Sequence, residues 1–162
     1  PHTKQSRPQP PRNRSHQEQR SSQRTITMQD HATAKLVDEP ISTKVAIEIA
    51  NHLRGRDTDD AKTILNGVIN KDQAIPYKRF QHGAGHRKGN MGPGKYPVKA
   101  SKSFLTLIES AEHNARDIGL APDLTITEIK ANKGTTQQSY GRQRGRENKT
   151  THVDITLKEQ EA

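Results

Sequence analysis

A chain of 162 residues suits one domain with a tail or an arm. Only 28% of it is apolar, with three Tyr, two Phe and no Trp, so part of the chain must be tail, arm or partner-covered surface. The absence of Cys excludes disulfides, Cys-ligated zinc and thiol catalysis, and the net charge of +9 points to an acidic partner.

No run of about 18 apolar residues exists to span a membrane. The first 25 residues hold no large aliphatic or aromatic side chain, so they do not read as a signal peptide. The expectation is a soluble cytoplasmic protein. Residues 1–27 form a first region rich in Pro, Gln, Ser and Arg, with Pro8, Pro10 and Pro11 beside Arg7, Arg12 and Arg14. Such a composition forms no core and should be disordered when free. Because the first Met is Met28, this region is either a genuine basic extension or lies upstream of the natural start. Residues 28–162 read as a single domain.

A helix is expected from Ile41. Ser42 suits its N-cap, Val45, Ile49 and Leu53 form a stripe widened by Ala46 and Ala50, and Gly55 ends it. A second helix follows, capped by Asp57 or Thr58, with Asp59 and Asp60 at the positive end of its dipole. Ala61, Ile64, Leu65, Val68 and Ile69 make its apolar face. Residues 73–95 hold Pro76, Gly83, Gly85, Gly89, Gly92, Pro93 and Gly94, which rule out regular structure on this reading. Between them lie Lys78, Arg79, His82, His86, Arg87, Lys88 and Lys95, a basic loop of a length uncommon unless functional. Pro97 opens a long helix reaching about Ile118, buried along Ser101, Phe104, Leu105, Ile108, Ala111 and Ala115, and Gly119 stops it. The remainder, about 124–157, reads as one long β-hairpin. Leu124 and Ile126 alternate with Thr on the way out, and Val153, Ile155 and Leu157 alternate with polar residues on return. The span between carries Lys130, Lys133, Arg142, Arg144, Arg146 and Lys149, with Tyr140 at the tip. Paired throughout, each arm would run roughly 15 residues or about 50 Å. That exceeds the body of a small domain, whose radius of gyration is near 14 Å. A ribbon without an apolar face is marginal in water, so an external anion must hold it.

Residues 1–24, 73–102 and 130–149 together hold 19 of the 27 cations and 2 of the 18 anions. This segregation suits a polyanion touching the protein in several places. Aromatic rings among the cations (Tyr77, Phe80, Tyr96 and Tyr140) can stack on unpaired bases, although Tyr77 and Phe80 can equally anchor the loop to the core. Gly89–Lys95, G-N-M-G-P-G-K, approaches a phosphate-binding loop, but Tyr96 stands where Ser or Thr would ligate magnesium. His82 and His86 have no nearby carboxylate to complete a metal set, and Asp57, Asp59 and Asp60 are explained by helix capping. No catalytic constellation, cofactor or metal site emerges. A free-standing nucleic-acid binder is the alternative to the reading that follows.

Three stretches resemble the universal large-subunit ribosomal protein twenty-two family in its archaeal and eukaryotic branch. The first runs from Ile41-Ser42-Thr43-Lys44 through Glu48-Ile49-Ala50 to Leu53-Arg54-Gly55. The second joins Pro76-Tyr77-Lys78-Arg79-Phe80, Gly85-His86-Arg87 and Gly94 to Ala100. The third joins Lys133-Gly134, Arg142, Gly145-Arg146 and His152-Val153-Asp154-Ile155. Gly141 departs from the pattern, which has Pro before the tip arginine. The resemblance implies an α+β fold in which three helices pack on a small three-stranded antiparallel sheet that carries a protruding hairpin. It implies a non-enzymatic constituent of the large ribosomal subunit that binds its RNA, aids assembly and lines the peptide exit tunnel. Lys133, Arg142 and Arg146 would contact RNA near the tunnel wall, and Lys78, Arg79, His86, Arg87, Lys95 and Lys99 would fasten the loop to another RNA segment. Neighbouring ribosomal proteins, and the nascent peptide at the hairpin tip, are the further partners implied.

Overall fold

The computed structural model describes residues 30–142 and 144–160. The expectations for residues 1–27 lie outside them. Three antiparallel strands in the order β1-β8-β5 form the main sheet: β1 (His31–Glu39), β5 (Leu124–Lys133) and β8 (Thr151–Glu159). Helices α1 (Thr43–Leu53), α2 (Thr58–Ile69) and α3 (Val98–Ile118) complete the body. The architecture is the α+β class expected, with α3 against β1 and β8, α2 against α3, and α1 against β5.

Alternation dictates which face of the sheet is buried. Val153, Ile155 and Leu157 of β8 point inward with Ala32 and Ala34 of β1. Ile126 and Ile129 of β5 are both buried although three residues apart. A bulge between Ile126 and Glu128 resets the alternation and returns Ile129 to the core. On α3 the buried stripe includes Ala100, Leu107 and Glu112 besides the expected residues, while Leu105 is only partly covered. Phe104, Leu107 and Ile108 belong to one buried cluster with Ile49, Leu53, Leu65 and the inward strand residues.

The helix ends stop as the sequence indicates and start by other means. Gly119 takes φ +87° and donates its N–H to the carbonyls of Ala115 and Arg116. Gly55, at φ +75°, turns its N–H onto the Ile126 carbonyl and so ties the α1 end to β5. Ser42 and Asp57 occupy N-cap positions without making side-chain caps. The Asp57 carboxylate instead accepts from the Thr125 hydroxyl at 3.2 Å, bracing the helix start against β5.

Two expectations are corrected. The basic loop is not irregular throughout: β2 (Ile75–Pro76), β4 (Gly92–Lys95) and β3 (His86–Arg87) form a second small antiparallel sheet in the order β2-β4-β3. Proline and glycine are tolerated there because the strands are short and close packing needs a missing side chain. A Cβ on Gly94 would lie 3.0 Å from Arg87 Cγ and 3.3 Å from the Ile75 carbonyl. The hairpin is also not one continuous ladder. Ladder pairing runs from Leu124↔Glu159 to Lys133↔Thr151, is interrupted past the Gly134 N–H bond to the Thr150 carbonyl, and resumes for β6 (Gln137–Gln138) against β7 (Glu147–Asn148).

Candidate nucleic-acid interface

Helix α1 organises the basic surface. Its middle carries Glu48, a buried carboxylate at 1% exposure. Oε2 accepts the Lys78 N–H at 3.1 Å, and Oε1 accepts those of Arg79 at 2.8 Å and Phe80 at 2.6 Å. Three consecutive backbone donors converging on one anion fix the chain direction at the start of the loop. With the backbone turned inward to Glu48, the side chains of Lys78 and Arg79 are left exposed.

The aromatic rings of the loop hold its cations. Lys44 and Arg79 lie 5.6 and 5.3 Å from the centre of the Phe80 ring, Arg87 lies 4.9 Å from Tyr96, and Lys95 lies 5.4 Å from Tyr77. Tyr77 is buried, and its phenol is pushed up to about 12 by burial and by the Glu48 charge. Tyr77 therefore anchors the loop, whereas the half-buried Phe80 ring sits beside Lys44 and Arg79 outside the core cluster. Only Tyr140, 99% exposed at the arm tip, offers an open ring.

Gly89–Lys95 is the turn and second strand of a hairpin, with Arg87 opposite Gly92 and the Arg87 Nε–H donating to the Gly94 carbonyl at 2.9 Å. That geometry differs from the strand–loop–helix cradle of a nucleotide site. His86 and Lys88 flank this turn and face solvent. Among the described residues no cluster of three potential metal ligands occurs.

The arm presents Lys133, Arg142, Arg144, Arg146 and Lys149 to solvent, and Lys99 is exposed in the first turn of α3. Lys130 differs, since Glu128 engages it at 2.8 Å. Among the described residues the other cations of the loop and arm make no ion pair with a carboxylate. Loop and arm do not merge into one cluster. Helix α1 links them: Thr43 at its start meets Thr151 at the hairpin root, Glu48 holds the loop, and Arg54 just past its end donates to the Ile129 carbonyl at 3.0 Å.

Residues beyond those expected belong to this surface. Glu48 stands in the sequence only as part of the Glu48-Ile49-Ala50 stretch of the resemblance, and nothing in that stretch assigns it the loop as partner. Arg56 donates to the His52 carbonyl at 2.8 Å. Burial, and then the charges of Arg56 and Lys78, push the His52 imidazole below its usual 6.5. Above that pH the ring is neutral folded or unfolded. Below it the unfolded chain takes up a proton that the fold resists, so His52 lowers stability as pH falls from 6.5 toward its folded pKa. An NMR titration should place its midpoint below 6.5, and His52→Ala should flatten that part of the stability profile. A midpoint above 6.5 would refute the lowering by burial and by the nearby Arg56 and Lys78 charges.

A compact α+β body that carries one braced loop and one projecting arm, both rich in exposed cations without a carboxylate partner among the described residues, defines a small basic scaffold protein. Residues 34–158 match the family model described as ribosomal protein L22p/L17e. The chain is 47% identical over 119 residues to the large ribosomal subunit protein uL22 of Thermoplasma acidophilum, covering 70% of this chain and 78% of that one. It is 44% identical to the protein of the same name from Thermoplasma volcanium, covering 70% and 80%. Identity to the one from Methanoculleus marisnigri is 35%, covering 83% and 94%. The chain belongs to the ribosomal protein L22p/L17e family, in its archaeal branch.

Proposed function

We propose that this chain is a structural constituent of the large ribosomal subunit. It binds the subunit's RNA through the loop and the arm, supports assembly, and extends the arm along the peptide exit tunnel beside neighbouring ribosomal proteins. The observation that carries this reading is the placement of cations. Lys78, Arg79, Arg87 and Lys88 on the loop, and Arg142, Arg144 and Arg146 on the arm, are exposed with no carboxylate partner among the described residues. Phosphates would supply the missing counter-charge, and releasing their condensed ions drives such binding. The body docks by loop and α1, and the weakly paired arm is held by RNA on both sides. Tyr140, fully exposed, is the group placed to meet a base or a nascent peptide at the tip.

Sedimentation of a cell lysate at moderate salt tests this. Stoichiometric migration with large subunits, lost only when high salt strips the chain off, is the expected result. Migration as a free 18.1 kDa protein would overturn it and favour a free-standing nucleic-acid binder.

A further inference from the structure

The break in the hairpin ladder coincides with a cluster of side chains from β1. Beyond Lys133↔Thr151 one arm passes Gly134, Thr135 and Thr136 and the other Lys149 and Thr150 before pairing resumes. Such a break leaves fewer ladder bonds to fix the arm's direction than continuous pairing would. Directly against it, Val37 and Asp38 form a bulge in β1 opposite His152. Asp38 sits there at φ +52°, a conformation few non-glycine residues adopt.

Its bonds account for that conformation. The Asp38 N–H donates to His152 Nδ1 at 3.1 Å, so the neutral ring carries its proton on Nε2, 3.8 Å from Asp38 Oδ1. The Thr150 hydroxyl lies 3.0 Å from Asp38 Oδ1 and 2.7 Å from the Thr135 carbonyl, and its single proton is shared between these two acceptors. One carboxylate and one hydroxyl thus join the end of β1 to both arms of the hairpin at the break. Gly134 is required by closeness rather than by backbone angle. Its N–H donates to the Thr150 carbonyl at 2.9 Å, and a Cβ there would run into Thr150 Oγ1 and lie 2.9 Å from Asp38 Oδ1. Just below, the Thr151 hydroxyl donates to the buried Ile41 carbonyl at 2.9 Å, so the root itself is fixed.

We infer that Asp38, Thr150 and Gly134 form a latch that sets the direction in which the arm leaves the body. These are positioning residues: they narrow the range of directions in which Arg142, Arg144 and Arg146 are presented before any partner arrives, and the partner completes the ordering. The consequence for RNA binding rests on the function proposed above, whereas the latch itself does not.

Because the chain has no Cys, spin labels can be placed cleanly at Tyr140→Cys on the tip and Glu109→Cys on the exposed side of α3. The parent should give one narrow distance distribution. Asp38→Gly relieves the backbone angle but removes the carboxylate, and Gly134→Ala forces the cluster apart. Each should widen the distribution about twofold while the circular dichroism of the body is unchanged. Asp38→Asn keeps an acceptor oxygen and tolerates the positive φ, so it should restore the parent width. A parent distribution already broad, or an Asp38→Gly distribution as narrow as the parent, would overturn the latch. Unlabelled Asp38→Gly should also bind a transcript of large-subunit ribosomal RNA about 5–30-fold more weakly, since ordering is then left to the binding step. A widened distribution with unchanged RNA affinity would sustain the latch and count against the arm as an RNA contact.

Discussion

Replacing Glu48 with Ala lowers the melting temperature by about 12–16 °C, for a loss of about 4 kcal/mol. The substitution leaves the N–H groups of Lys78, Arg79 and Phe80 without an acceptor inside the protein. It also opens a void beneath the loop, because Glu48 is among the largest fully buried side chains. Glu48→Gln isolates the electrostatic part. The amide keeps one oxygen but aims its NH₂ at a backbone donor, which costs about 2 kcal/mol and about 6–8 °C. Amide exchange at the three donors should rise in both variants more than exchange in α3. A melting shift below about 3 °C for Glu48→Ala would refute the clamp. The RNA-binding readout is sharper still. Either substitution raises the net charge by one, which alone would strengthen binding to a polyanion. Weaker binding by a folded variant would therefore show that the direction of the loop, and not its total charge, governs the contact.

Much of the body can be read from the sequence because it follows local rules. The spacing of Phe104, Ile108, Ala111 and Ala115, closed by Gly119, specifies α3, and the alternation of Val153, Ile155 and Leu157 specifies β8. Strand β1 is quieter. Its inward residues, Ala32 and Ala34, are small because α3 packs close over them, and small residues give little hydrophobic contrast. The sheet of the basic loop is hidden for another reason. Gly92, Pro93 and Gly94 disfavour strands locally, and the pairing is imposed by tertiary contacts of Tyr77 and Arg87. The cations of the interface are visible as a charge pattern, but their supports are not. Glu48 and Asp38 act on groups 30 and 112 residues away in the chain, and nothing in their own neighbourhoods reports it.

Replacing Arg142, Arg144 and Arg146 together with Ala should cost little stability and much affinity. All three side chains are exposed and make no ion pair among the described residues. The Arg146 carbonyl that accepts the Ser139 N–H at 2.7 Å is backbone and survives the change. Substitutions of this kind usually shift stability by no more than about 0.5 kcal/mol. If each arginine neutralises one phosphate, the slope of log affinity against log salt becomes shallower by about 2–2.7. At about 0.1 M salt the same loss amounts to roughly 100–500-fold in affinity. The two measurements constrain each other. A large loss with an unchanged slope would mean that the arginines act by shape or stacking, which Tyr140→Ala would then have to reproduce. An unchanged affinity would place the arm outside the RNA contact and leave the loop as the only docking element. Matched changes in slope and affinity would assign to the arm the share of binding that its charge predicts.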